Sequence, residues 1–180
     1  MEAAMRWRKR GQSLVEMAMI APFLLMILMM VIDCGRAAYD YSTLAAAARE
    51  GARAAITTGS NRPTNARVLG LVQNSAYGMS LSAASCPNDP VPSNPTMAAD
   101  TGLVYVGAPS GSAINTPNAP SGQAPAAAGA CSWPVVPSYA GHNPLTVTIK
   151  YNFEPLTPFG SQFFPNGIVM SVTSTMSTEY

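Results

Sequence analysis

Apolar positions along the chain follow three patterns. From Leu14 to Ile32 they form a run broken by a single charge, Glu16. Its length is close to the ~20 residues that a membrane-spanning helix needs. From Asp33 to Ile56 the sequence turns alanine-rich and carries no proline. There Ala38, Tyr41, Ala45, Ala48, Ala52 and Ile56 step by three or four, predicting one apolar stripe with Arg49, Glu50 and Arg53 mainly off it. The two stretches read as one helix of about 44 residues from Leu14, ~66 Å long. Its first half is transmembrane and its second half amphipathic. Gly59, after Thr57-Thr58, supplies a left-handed stop. Thr64–Tyr77 predicts a second, shorter helix with Val68, Leu71 and Val72 on its apolar side.

The third pattern has period two. Leu145, Val147, Ile149, Tyr151 and Phe153 alternate with Thr146, Thr148, Lys150 and Asn152, which predicts a half-buried strand. After a broad turn over Glu154–Asn166, the positions Ile168, Met170, Val172, Ser174 and Met176 predict a second strand. Leu103–Val106 can add a third. The expected fold is α+β: a long N-terminal helix, a short second helix and a small antiparallel sheet of two to three strands. The amphipathic half of the long helix covers the sheet's apolar face.

Composition adds a boundary inside this frame. Between Ser82 and Asn143 proline, glycine, alanine, serine and asparagine dominate, so this stretch reads as a loop insertion holding one short strand. The organisation is then a leader over 1–11, an apolar helix over 12–32, the helix continuation and second helix over 33–81, the insertion over 82–143 and terminal strands over 144–180.

Charge sets the orientation. Arg6, Arg8, Lys9 and Arg10 sit directly before Gly11, and only 11% of the 180 residues are charged. The positive-inside rule keeps that end cytoplasmic and exports the rest. A net charge of +1 argues against nucleic acid as a partner. Cys86 and Cys131 then lie on the exported side, where an oxidising compartment favours a disulfide, while Cys34 is left at the membrane exit. The residues offer no catalytic constellation. The one histidine, His142, stands in a Gly/Pro/Asn context, and no cysteine pair has zinc-ligand spacing. No metal and no cofactor is expected.

A basic leader, a glycine, four uncharged residues, a glutamate and then an apolar run is the arrangement of prepilin-type leaders. The resemblance sharpens further along. Arg10–Glu16 (RGQSLVE), Ala18–Pro22 (AMIAP), Asp33–Arg36 (DCGR) and Ala47–Arg53 (AAREGAR) resemble, in order, the motifs of the TadE-like family of the tight-adherence (Flp, type IVc) pilus apparatus. The terminal strands also look like that family's, so the resemblance spans roughly residues 10–77 and 144–180. Two departures stand out: Met17 where an aromatic is common, and Asp33-Cys34 where Glu-Phe is frequent.

The resemblance implies a pseudopilin cut by a prepilin peptidase between Gly11 and Gln12. Glu16, fifth in the mature chain, would meet the N-terminal amine of a neighbouring subunit. Implied partners are that peptidase, the Flp major pilin, a sister pseudopilin, an inner-membrane assembly platform and membrane lipid. The implied location is the bacterial inner membrane, single-pass, with the C-terminal part periplasmic or carried into the pilus. Pro22 would serve as a helix hinge, or as a plain kink. Against this stands an uncleaved, single-span anchor whose periplasmic head is a binding or scaffold module. An envelope enzyme is the third reading.

Overall fold

The computed structural model describes residues 2–56, 65–84, 91–107 and 144–177. The first element is a single helix, α1 (Glu2–Ala55), which passes through Gly11 and Pro22 without a break. It starts earlier than the apolar pattern alone predicts. Residues 2–10 (EAAMRWRKR) consist mostly of strong helix formers, and one interior glycine costs only about 1 kcal/mol against alanine. The Thr57–Gly59 stop lies outside the described residues.

The second half of α1 is amphipathic, but its buried face is rotated from the expected stripe. Leu44, Ala47, Ala48, Ala52 and Ala55 are buried completely, whereas Tyr41 is 52% exposed and Ala38 is exposed as well. Alanine occupies so many positions between 45 and 55 that apolar spacing cannot pick a face. The face is set by what packs on it. Gly51 faces Val72 of α2 (Asn65–Ser75), and a Cβ built on it would lie 3.5 Å from Val147 Cγ1. A side chain at 51 would separate the helices, so glycine is what permits this close approach. Helix α2 buries Val68 and Val72 against α1, as its pattern predicts, but Leu71, expected on the same side, is exposed.

The sheet has four strands rather than two or three, in the order β1-β2-β3-β4. Strands β2 (Thr101–Gly107), β3 (Pro144–Phe153) and β4 (Ile168–Ser177) are antiparallel neighbours, with Gly102 opposite Tyr151 and Ile149 opposite Val172. Strand β1 (Ser80–Ala83) pairs parallel to β2, so the sheet is mixed. With four residues and only Leu81 buried, β1 is too short to show a period. The alternating residues of β3 behave as expected. Leu145, Val147, Ile149, Tyr151 and Phe153 are all at most 4% exposed, and they pack under α1 and α2 in one core.

The other face of the sheet is polar but not bare. Thr146 pairs with Thr175 and Thr148 with Thr173 through their hydroxyls, at 3.0 and 3.2 Å. Residues 91–100, inside the expected loop insertion, lie across this face. Lys150 Nζ donates to Ser93 O at 3.1 Å, and Asn152 Nδ2 donates to Met97 O at 3.4 Å. The β3–β4 connection, expected to be a turn throughout, contains the short helix α3 (Pro158–Phe163). Thr157 caps it by accepting from Gly160 N, and Pro158 occupies the first turn, where a missing N–H costs nothing.

Candidate assembly helix and its anchoring clamp

From Leu14 to Ile32 the helix has no protein cover. Leu14, Met19, Phe23 and Val31 are 62–72% exposed, and none of the 18-residue apolar window is buried. An apolar surface this long, projecting from a folded head, requires a lipid or protein environment. Its length and composition are those of a membrane-crossing helix. Glu16 sits near its N-terminal end, exposed, and Gln12 Nε2 donates to Glu16 Oε1 at 3.4 Å. Gln12 and Glu16 are one helical turn apart, so the backbone nitrogen of residue 12 and the carboxylate of residue 16 share one side of the helix. Pro22 lies mid-run and removes the backbone bond to the Ala18 carbonyl.

Directly after the apolar run, one turn of α1 is tied to the head by charge. Asp33 is buried. It accepts from Leu156 N at 3.2 Å and from the Thr157 hydroxyl, while Gly160 leaves room for its carboxylate. Arg36 reaches the other way. Its Nη2 donates to Asp100 Oδ1 at 3.0 Å and its Nη1 to Glu154 O at 3.2 Å, with the guanidinium 5.1 Å from the centroid of the Phe153 ring. Asp100 takes a left-handed conformation, φ 51°. It is held there because Oδ1 also accepts from Glu154 N and its own N–H donates to Asn152 O.

Burial pulls the Arg36 pKa down, but the hydrogen bond to Asp100 and the nearby charges of Asp100 and Asp40 outweigh it, so the net shift is upward. Asp40, one turn further on, is pushed up by burial and by Asp100, with Arg36 opposing. The ion pair itself is 31–42% exposed and contributes little energy, on the order of 1 kcal/mol or less. Its value lies in geometry, because it fixes the direction in which the head meets the apolar helix.

The Asp33 contacts are the stronger half of this clamp. Asp33→Ala leaves Thr157 Oγ1 and Leu156 N without their charged acceptor, and should destabilise the head by about 2 kcal/mol. Chemical denaturation of the solubilised chain measures this. An unchanged midpoint would mean that the clamp does not hold the head.

The sequence signalled Asp33–Arg36 only through family resemblance. Its partners Asp100, Glu154 and Thr157 lie in stretches read as insertion or turn, 64 to 124 positions away. The Thr157-Pro158 pair was the one local signal that could have marked α3.

Other candidate residues fall elsewhere. Cys86, Cys131 and His142 lie outside the described residues, and Cys34 is exposed on α1. Among the described residues no group of three or more histidine, cysteine or acidic side chains could hold a metal ion. A cleft of about 700 Å³ opens between residues 94–99 and 165–169, beside the buried Asn152 Oδ1. It holds one carboxylate, Glu154, and no basic residue.

The family model for TadE-like protein matches residues 11–53. This is the family that the motifs resemble, and the matched segment is the apolar helix, the Asp33–Arg36 turn and most of the buried face of α1. The match is narrower than the resemblance: it does not reach α2 or the terminal strands. TadE-like proteins are pilus components rather than an enzyme family. No curated protein and no solved structure matches the chain.

Proposed function

We propose that the chain is a TadE-like pseudopilin that joins an adhesive Flp (type IVc) pilus through its N-terminal helix. The observation that carries this is the exposed apolar helix, continuous with the folded head and coincident with the family-model match. In this reading residues 1–11 are a leader, and prepilin peptidase cuts between Gly11 and Gln12. The helix over 12–32 holds the precursor in the inner membrane, with the N-terminus cytoplasmic and the head periplasmic. The sister pseudopilin, the major pilin and the inner-membrane assembly platform then take it from lipid into the fibre, with Pro22 as a hinge.

Glu16 gives the helix its register. A lone carboxylate near the hydrocarbon edge is costly, and pairing with an ammonium offsets that cost. Cleavage creates such an ammonium at Gln12, one turn from Glu16 on the same side. Two staggered copies can therefore pair amine with carboxylate only in matched alignment.

Glu16→Gln removes the charge and keeps the shape. It should leave membrane insertion and processing at wild-type levels and reduce co-purification with the pilus about tenfold or more, the ~1.4 kcal/mol or greater loss of one charged contact. Immunoblots of membrane and sheared-fibre fractions read this out. Wild-type incorporation would show that no such pair is formed.

A further inference from the structure

We propose that the head rests on the outer face of the lipid bilayer through an apolar pole built by the β3–β4 connection. The pole touches the phospholipid interface with Leu156, Phe163 and Phe164. This rests on the reading of Leu14–Ile32 as the membrane span and adds a second, separate contact with lipid.

The position of the pole follows from how β3 runs along α1. Val147 lies at Gly51, Phe153 stacks on Arg36, and Leu156 and Thr157 bond to Asp33. Moving forward along β3 therefore moves down α1, toward the end of the apolar run at Ile32. The chain keeps going to Thr157, turns through α3 and returns in β4 at Ile168. The 155–167 connection is thus the part of the head nearest the span. The apolar run from Leu14 is about 28 Å long at 1.5 Å per residue, which places Ile32 at the edge of a ~30 Å hydrocarbon core.

What that connection presents is unusual for a water-facing loop. Leu156 is 78% exposed, Phe163 64% and Phe164 49%. From Pro155 to Gly167 the sequence PLTPFGSQFFPNG contains no charged residue. The carboxylate directly after the span, Asp33, is turned inward and accepts from Leu156 N and the Thr157 hydroxyl. The turn before β1 adds Tyr77, 86% exposed, at the same end of the sheet, because Ser80 is in register with Thr101 and Thr101 with Asn152. Aromatic and apolar side chains without charge are what a membrane interface accepts. Lipid is the occupant because the connection that carries these side chains is bonded to α1 at Asp33, the residue directly after the span.

The consequence is mechanical. Anchored at Asp33 and resting on its pole, the head cannot swing freely about the helix, so every precursor presents the same face to its assembly partners.

Photo-crosslinking of the full chain tests this, in vesicles of phosphatidylethanolamine and phosphatidylglycerol. A benzoyl-phenylalanine photoprobe replaces Leu156, Phe163, Phe23 or Arg53, one position at a time. All four are exposed, so the probe disturbs no core. Lipid adducts are expected at Phe23, Leu156 and Phe163, several-fold above Arg53, which lies at the far end of the head. Adducts at Phe23 with Leu156 and Phe163 no better than Arg53 would overturn the pole and leave the span intact. Adducts at Leu156 and Phe163 with a second copy of the chain instead of lipid would overturn it too. A Phe23 probe that fails to reach lipid would remove the span, and the pole with it.

Discussion

Gly51→Leu is expected to destabilise the head by about 3 kcal/mol. Gly51 is the point where α1, α2 and β3 meet, and both neighbours, Val72 and Val147, are fully buried. Even a single methyl at 51 runs into Val72 Cγ2. Leucine adds three further carbons with no space to take them. Overpacking a well-filled core costs about 1–3 kcal/mol and sometimes more, against a total stability of roughly 5–15 kcal/mol for an ordinary domain. A denaturation midpoint well below that of the wild type is the expected result.

Gly51→Ala should also destabilise, although alanine gains about 1 kcal/mol of helix propensity. Gly35→Ala provides the contrast. It lies in the same helix with nothing within 4 Å of its Cβ position, and should stabilise by up to about 1 kcal/mol. If all three variants unfold alike, the tight junction at Gly51 is not what holds the head.

Gly11→Ala is expected to leave the entire population at precursor length and to abolish its incorporation into pili, with the head folded as in wild type. The leader and the head are independent in this respect. Gly11 lies more than 20 residues before Asp33, the first clamp residue, so its substitution cannot disturb the core. The effect is all-or-none because an uncut leader keeps four basic residues attached to the apolar helix and leaves no free amine to meet Glu16. Intact-mass measurement and the denaturation midpoint read the two halves separately. A processed chain, or piliation at wild-type level, would count against cleavage at this glycine.

The parts of the fold legible in sequence are those where burial imposes a period. β3 alternates strictly because one face meets α1 and α2 while the other meets Thr173, Thr175 and the 91–100 segment. The apolar half of α1 is equally plain, since an uninterrupted apolar run as long as a bilayer is thick is rarely found in water-soluble helices. The buried face of its second half was not legible, because alanines on every side carry no direction. The true markers were Asp33 and Asp40, polar residues that pattern reading assigns to solvent. Strand β1 was missed because four residues with one buried side chain show no period. Helix α3 was hidden among three prolines that read as a turn. The clamp is long-range by nature: nothing near Arg36 in sequence announces Asp100, whose left-handed backbone is bonded to Arg36, Glu154 and Asn152.

The measurement that bears most directly on the proposed role is the N-terminus of the protein recovered from its native membranes, read by mass spectrometry. A pseudopilin must begin at Gln12. A chain that still begins at Met1 would contradict processing and leave a fixed single-span anchor, with its head serving as a binding or scaffold module.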